Sequence, residues 1–192
     1  IRGAHMGMIF QDASTALNPV KTIAEQLFEI LFLHERLSKQ AATQRALSLF
    51  DEVGLKQPKR CLSAYAHELS GGMRQRAMIA MALACRPSVL IADEPTASLD
   101  VTVQAEIMKL LDEINHNMNM AILFISQDLG VIAQHCDYVY IMYLGDILEN
   151  GETATIFKQP SHDYTKTLLS SIPNPDLTTR ETPIKPQATN AT

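Results

Sequence analysis

Val89-Leu90-Ile91-Ala92-Asp93-Glu94 is an unbroken apolar run of strand length that ends in two adjacent carboxylates. A strand apolar on both faces is typical of the middle of a parallel sheet, where helices cover both sides. In open sheets of that kind ligands bind at the carboxyl ends of the strands, which is where Asp93 and Glu94 fall. Side chains alternate along a strand, so the two carboxylates address different reactants. Asp93 suits a Mg²⁺ ion, directly or through water, and Glu94 suits polarising a water beside a metal-phosphate centre. An isolated Asp-Glu pair is more often a plain loop start, so the reading depends on its surroundings.

Working outward, Val103, Ile107, Leu110, Leu111 and Ile114 form one apolar stripe at helical spacing between Val101 and Asn117, and Ala121 to Ile125 is again strand-like. Strand, helix and strand predict a parallel crossover unit. Tyr138 to Met142 reads as a third strand, and Asp146 to Glu149, between Gly145 and Gly151, as a hairpin arm. Upstream, Met6 to Phe10 reads as a strand and Asp12 to Val20 as a loop rich in Asp, Ser, Thr, Asn and Pro. From Thr22 to about Val53, Ile23, Leu27, Ile30, Leu31, Ala46, Leu49, Phe50 and Val53 recur at spacings of three and four, predicting a helical unit broken near Gly54 and Pro58. Met73 to Cys85 lacks breakers and consists largely of strong helix formers. The order of elements is α/β and consistent with a doubly wound sheet.

A second signal is Leu69-Ser70-Gly71-Gly72-Met73-Arg74-Gln75. The glycines allow close backbone approach, and the helix that follows presents free N–H groups and its positive dipole end to an anion. Taken alone, a glycine-rich helix start capped by Ser70 is the plainer reading.

The 192 residues are 46% hydrophobic and 19% charged, which is globular composition and predicts one core. A formal charge of −5 argues against a nucleic-acid partner, because phosphate backbones need clustered Lys and Arg. The longest apolar run, Ala77 to Cys85, is far short of the roughly twenty residues that span a bilayer. No secretory signal precedes the first strand, although residue 1 is Ile. Cys61, Cys85 and Cys136 are odd in number and widely spaced, which predicts small buried hydrophobes in a reducing compartment, with no disulfide framework and no iron-sulfur site. Beyond Pro173 large apolar residues are nearly absent, so residues 173–192 are expected to be a disordered tail.

Gln11, then Leu69 to Gln75, then Val89 to Glu94, then Ser98-Leu99-Asp100 follow in the order and separation of the nucleotide-binding domain of ABC ATPases, and the chain resembles that family from Met6 to about Pro173. The resemblance implies a P-loop NTPase-like core with a small helical subdomain at about residues 21–85, within a partial domain of residues 1–172. It implies ATP and Mg²⁺ as cofactors. Gln11 corresponds to the glutamine that touches Mg²⁺ and the attacking water, and residues 69–75 to the signature motif that clamps ATP bound to a partner subunit, so that Ser70, Gly71, Gly72 and Gln75 are expected to bind ATP. Asp93 corresponds to the metal-associated aspartate, Glu94 to the catalytic base, and Asp100 to the aspartate of the loop that crosses the dimer interface. Leu17-Asn18-Pro19, Met73, Val101 and Pro160-Ser161-His162-Asp163-Tyr164-Thr165 resemble the oligopeptide, dipeptide and nickel importers. The implied partners are a second ABC ATPase subunit, transmembrane permease subunits and an extracytoplasmic solute-binding protein. The implied place is the cytoplasmic face of the cell membrane, as a peripheral protein.

Two departures stand out. Gln127 occupies the place of a family histidine that contacts the γ-phosphate; an amide donates a hydrogen bond but neither carries charge nor shuttles a proton, which predicts slow hydrolysis. No Gly is followed by Lys, so the chain contains no G-x-x-x-x-G-K-[ST] loop. The family's loop lies upstream of the Gln11 position, so truncation is the expected cause, and this chain alone is expected to be inactive. The competing expectations are a catalytically inactive or regulatory ABC-type module, and a soluble ABC ATPase of DNA repair or translation.

Overall fold

The computed structural model describes residues 3–171. They divide into two compact units, with the boundary in the chain between Ile125 and Ser126. In chain order the first unit contains β1 (Met6–Ile9), α1 (Ala13–Ala16), α2 (Ile23–Ile30), α3 (Lys39–Glu52), α4 (Pro58–Ser63), α5 (Gly71–Leu83), β2 (Val89–Asp93), α6 (Val101–Met118) and β3 (Ala121–Ile125).

The three strands form one parallel sheet in the order β1-β2-β3. Ile9, Ala92 and Phe124 lie side by side on one face, and Met8, Ile91 and Leu123 on the other. The expected central strand and its crossover through α6 are therefore present. The first face carries the core: Ile9, Leu90 and Ala92 are fully buried, as are Ile79 and Leu83 of α5. Gly7 explains how closely α5 approaches β1, since a Cβ there would overlap the carbonyl oxygen of Ala82. The second face differs from expectation. Met6, Met8, Leu123 and Ile125 on it are exposed, so β2 is fully covered on one side only among the described residues.

Helix α5 buries the consecutive residues Ala77, Met78, Ile79 and Ala80 and touches α1, α2, α3 and β1. A helix enclosed from several sides shows no polar stripe, which explains its uniform composition. The helices on its far side are delimited by local chemistry. Thr22 and Glu25 make a reciprocal capping box at the start of α2, with Thr22 N–H donating to Glu25 Oε2 at 2.7 Å and Glu25 N–H to Thr22 Oγ1 at 3.2 Å. The helical stretch from Thr22 to Val53 is interrupted earlier than predicted: a π turn at Leu31–Glu35 runs into Arg36 at φ 52°, and Ser38 caps α3. The predicted Asp12 to Val20 loop contains the single turn α1, because the Asp12 carboxylate accepts the Ser14 N–H at 2.7 Å.

The second unit contains α7 (Leu129–His135), β4 (Tyr138–Tyr143), β5 (Asp146–Glu152), α8 (Thr153–Lys158) and α9 (Asp163–Ser170). The expected hairpin forms, with Tyr143 opposite Asp146 and both turn residues, Leu144 and Gly145, at positive φ. Ile132, Val139, Ile141 and Ile156 make a separate core, where composition predicted only one. The Glu149 carboxylate accepts the N–H groups of Ser161 at 2.7 Å and His162 at 3.1 Å, and so holds the start of α9, whose cap is His162. The motif from Pro160 to Thr165 is thus a helix start. The expected tail at 173–192 lies outside the described residues.

Candidate functional site

Strand β1 ends at Ile9 beside Ala92 of β2, so the chain leaves the sheet at Gln11 next to the end of β2. Gln11 Nε2 donates to Glu94 Oε2 at 2.8 Å, joining two residues 83 positions apart. Asp93, still within β2 and paired with Ile125, shares the parity of Val89 and Ile91, which places it on the uncovered side of the sheet. Glu94 has left the strand with φ 41°, a left-handed conformation that non-glycine residues adopt at a cost. Its being followed by Pro95 makes a helical backbone still less favourable. The conformation is held by Glu94 N–H donating to Ile125 O at 2.9 Å and by Ala97 N–H donating to Glu94 O at 3.2 Å.

Helix α5 begins beside this edge. Ser70 caps it, its Oγ accepting the Met73 N–H at 3.3 Å. The N–H groups of Gly71 and Gly72 in the first turn have no intrahelical acceptor. The plain reading of Ser70 as a cap and the anion-site reading are therefore both compatible with the same geometry. A Cβ on Gly72 would lie 2.9 Å from Val103 Cγ1, so the second glycine is what lets α5 and the start of α6 touch. Asp100 caps α6 by accepting the Val103 N–H at 3.0 Å.

Gln75 requires a correction. It was expected to meet ATP, yet it is 1% exposed, with Nε2 donating to the carbonyl of Pro95 at 2.5 Å. The apolar residues around it turn its amide inward, so it braces the loop after Glu94 and offers nothing to a ligand. Gln127 lies in the second unit, exposed, one residue before Asp128, the cap of α7. The Gln11–Glu94 bond, the left-handed Glu94 and the Gln75–Pro95 bond were not readable in the sequence. Only the abrupt change from an apolar run to Asp-Glu-Pro hinted at a special backbone there.

The donor chemistry fits Mg²⁺ held jointly with a polyphosphate. Mg²⁺ is usually bound through one or two carboxylates, with substrate phosphates completing the shell. The Asp93 carboxylate and the Gln11 side-chain carbonyl supply oxygen at this edge, while among the described residues no group of three or more His, Cys, Asp or Glu side chains could hold a metal unaided. Burial pushes the thiols of Cys61 and Cys85 up, so neither is a reactive thiolate. No helix among the described residues is long and apolar enough to cross a membrane.

Comparison with known proteins agrees with the resemblance. Residues 1–97 match the ABC transporter family model, and residues 148–192 match the C-terminal region of oligopeptide/dipeptide transporters. The dipeptide transport ATP-binding protein DppD of Bacillus subtilis is 51% identical over 185 residues, covering 96% of this chain and 55% of that protein. The glutathione import ATP-binding protein GsiA of Salmonella choleraesuis is 50% identical over 173 residues, covering 90% of this chain and 28% of that protein. The chain thus spans about half the length of the first relative and less of the second. Among solved structures, cbiO1 of Clostridium perfringens, part of the ABC transporter complex cbiONQ, is 28% identical with a TM-score of 0.69 over 82% of this chain and 61% of its own. The dimeric ATP-binding cassette MJ0796, in a post-hydrolysis state with ADP and Pi, is 27% identical with a TM-score of 0.68 over 79% of this chain and 64% of its own. With its signature-like helix start, its Asp-Glu strand end and half its length matched by one family model, the chain belongs to the ABC transporter family.

Proposed function

We propose that the chain is the ATP-binding and ATP-hydrolysing part of a subunit that powers peptide import. The observation that carries this reading is the Gln11–Glu94 hydrogen bond at the carboxyl edge of the parallel sheet. It fixes one carboxylate oxygen and leaves the other to accept a proton from water, which is the task of a general base. Gln11 stands at the head of the segment that leads through α1 into the helical unit, the part that would pass a change at Glu94 on to a membrane partner. Asp93 and the Gln11 side-chain oxygen would hold Mg²⁺, which neutralises phosphate charge when bound. The N-terminus of α5, with Ser70, Gly71 and Gly72, would take the γ-phosphate of a nucleotide held by a second ATPase subunit, with Asp100 alongside.

The names of the relatives support peptides as cargo and ATP as fuel. Permease subunits at the cytoplasmic face of the membrane and an extracytoplasmic solute-binding protein complete the proposed assembly. The test is ATP hydrolysis by the natural gene product. Glu94→Gln removes the proton acceptor but keeps the shape, and should lower kcat by about 100-fold or more. A protein that hydrolyses no ATP would instead be the regulatory module that Gln127 favours, and a rate that Glu94→Gln leaves unchanged would overturn the reading of Glu94 as the base.

A further inference from the structure

Four contacts run from the first two turns of α5 to the segment after β2. Gly71 faces Leu99 at 3.9 Å from its Cβ position, and Gly72 faces Val103. Gln75 holds the carbonyl of Pro95 at 2.5 Å, and Arg76 Nη2 pairs with Glu106 of α6 at 2.9 Å. Arg76 Nη1 also donates to the Val53 carbonyl at the end of α3 at 2.7 Å. A Cβ on Gly54 would lie 3.1 Å from that Nη1 atom, so the turn after α3 is kept open for the guanidinium. Helix α5 therefore carries, about one turn in from its glycine-rich start, two side chains that grip its neighbours.

Of these grips, the one at Gln75 bears on chemistry. Pro95 directly follows Glu94, whose backbone sits at φ 41° ahead of a proline. A backbone held in that conformation relaxes unless its neighbours oppose it. Proline has no N–H to contribute, so the carbonyl of Pro95 is its backbone handle, and the buried amide of Gln75 occupies it. We infer that Gln75 is a positioning residue: by holding the Pro95 carbonyl it fixes the left-handed backbone that presents the carboxylate of Glu94. This rests on the reading of Glu94 as the group that polarises water.

The test is steady-state hydrolysis by the natural gene product in its assembled complex, with wild type, Gln75→Leu and Glu94→Gln compared and unfolding midpoints measured on the same preparations. Gln75→Leu keeps the bulk and loses the donor. It should leave KM for ATP within about twofold and lower kcat by about tenfold or more, the pattern of an interaction needed in the transition state alone. A kcat within about twofold of wild type, or a loss carried mainly by KM, overturns the inference. Should Gln75→Leu fail to fold, Gln75→Glu decides. Burial against a carbonyl favours the neutral acid, which donates as the amide does, and the ionised form cannot. Its kcat relative to wild type should rise as pH is lowered from about 8 to about 6. A flat ratio overturns the inference. A wild-type rate untouched by Glu94→Gln removes the reading of Glu94 and this inference with it, whereas a rate abolished by Glu94→Gln and indifferent to Gln75→Leu removes the inference alone.

Discussion

At Gln127 a single side chain separates two expectations of rate. An amide matches a histidine in donating one hydrogen bond, but it cannot become positive when charge builds on a departing phosphate. On the proposed function, Gln127→His in the natural gene product should raise kcat by about tenfold, at the low end of what a positioned acid-base group contributes. An unchanged rate in a colorimetric phosphate-release assay would make Gln127 a bystander. Ser70 separates stability from binding in another way. Ser70→Ala removes the cap of α5 and should lower unfolding free energy by about 1 kcal/mol in a urea titration, while Ser70→Gly should cost only a few tenths. If both variants lose ATP-driven subunit association equally, the hydroxyl acts on the anion as well as on the helix.

At the scale of elements, the start of α9 shows how a charge can hold a helix. The neighbouring Thr165 hydroxyl, followed by the Ser161 and His162 N–H groups, holds the carboxyl of Glu149 below the usual carboxylate range. A group with a lowered folded pKa adds stability above its unfolded pKa and loses it as pH falls through the folded value. The link between β5 and α9 should therefore loosen only in acid, below the ordinary glutamate range near 4.3. Hydrogen exchange at Ser161 and His162 should accelerate there, and Glu149→Gln should show faster exchange already at neutral pH. Protection that stays the same in Glu149→Gln would mean that the second core, not the carboxylate, places α9. The glycine at residue 7 belongs to the same scale. Gly7→Ala sets a methyl group against the Ala82 carbonyl, so α5 must move off β1, at an expected cost of about 3 kcal/mol.

For the whole molecule, the decisive feature is the sheet face bearing Met6, Met8, Leu123 and Ile125. Exposed apolar rows on a sheet with open edges favour pairing with another chain. The 192-residue chain on its own should scatter light as a species heavier than its 21.3 kDa, and Leu123→Lys with Met8→Lys should bring it toward that value. A monomer without those substitutions would show that the face is covered in solution.

The sequence by itself determined what local pattern and chemistry can determine. Continuous apolar runs of strand length and the crossover stripe specified the parallel strands and α6, caps such as Ser70 marked where helices begin, and the Asp-Glu strand end with the glycine-rich helix start marked the edge to which ligands would come. These signals are legible because each arises within a few residues of the chain. The tertiary structure alone decided that Gln11 bonds Glu94 across 83 positions, that Gln75 faces inward to Pro95, that Glu94 adopts a left-handed backbone ahead of a proline, and that one face of the sheet is left exposed among the described residues. Each of these depends on which distant segments meet, and the favourable energy of packing α5 against β1 and α6 outweighs the local preferences that sequence patterns record.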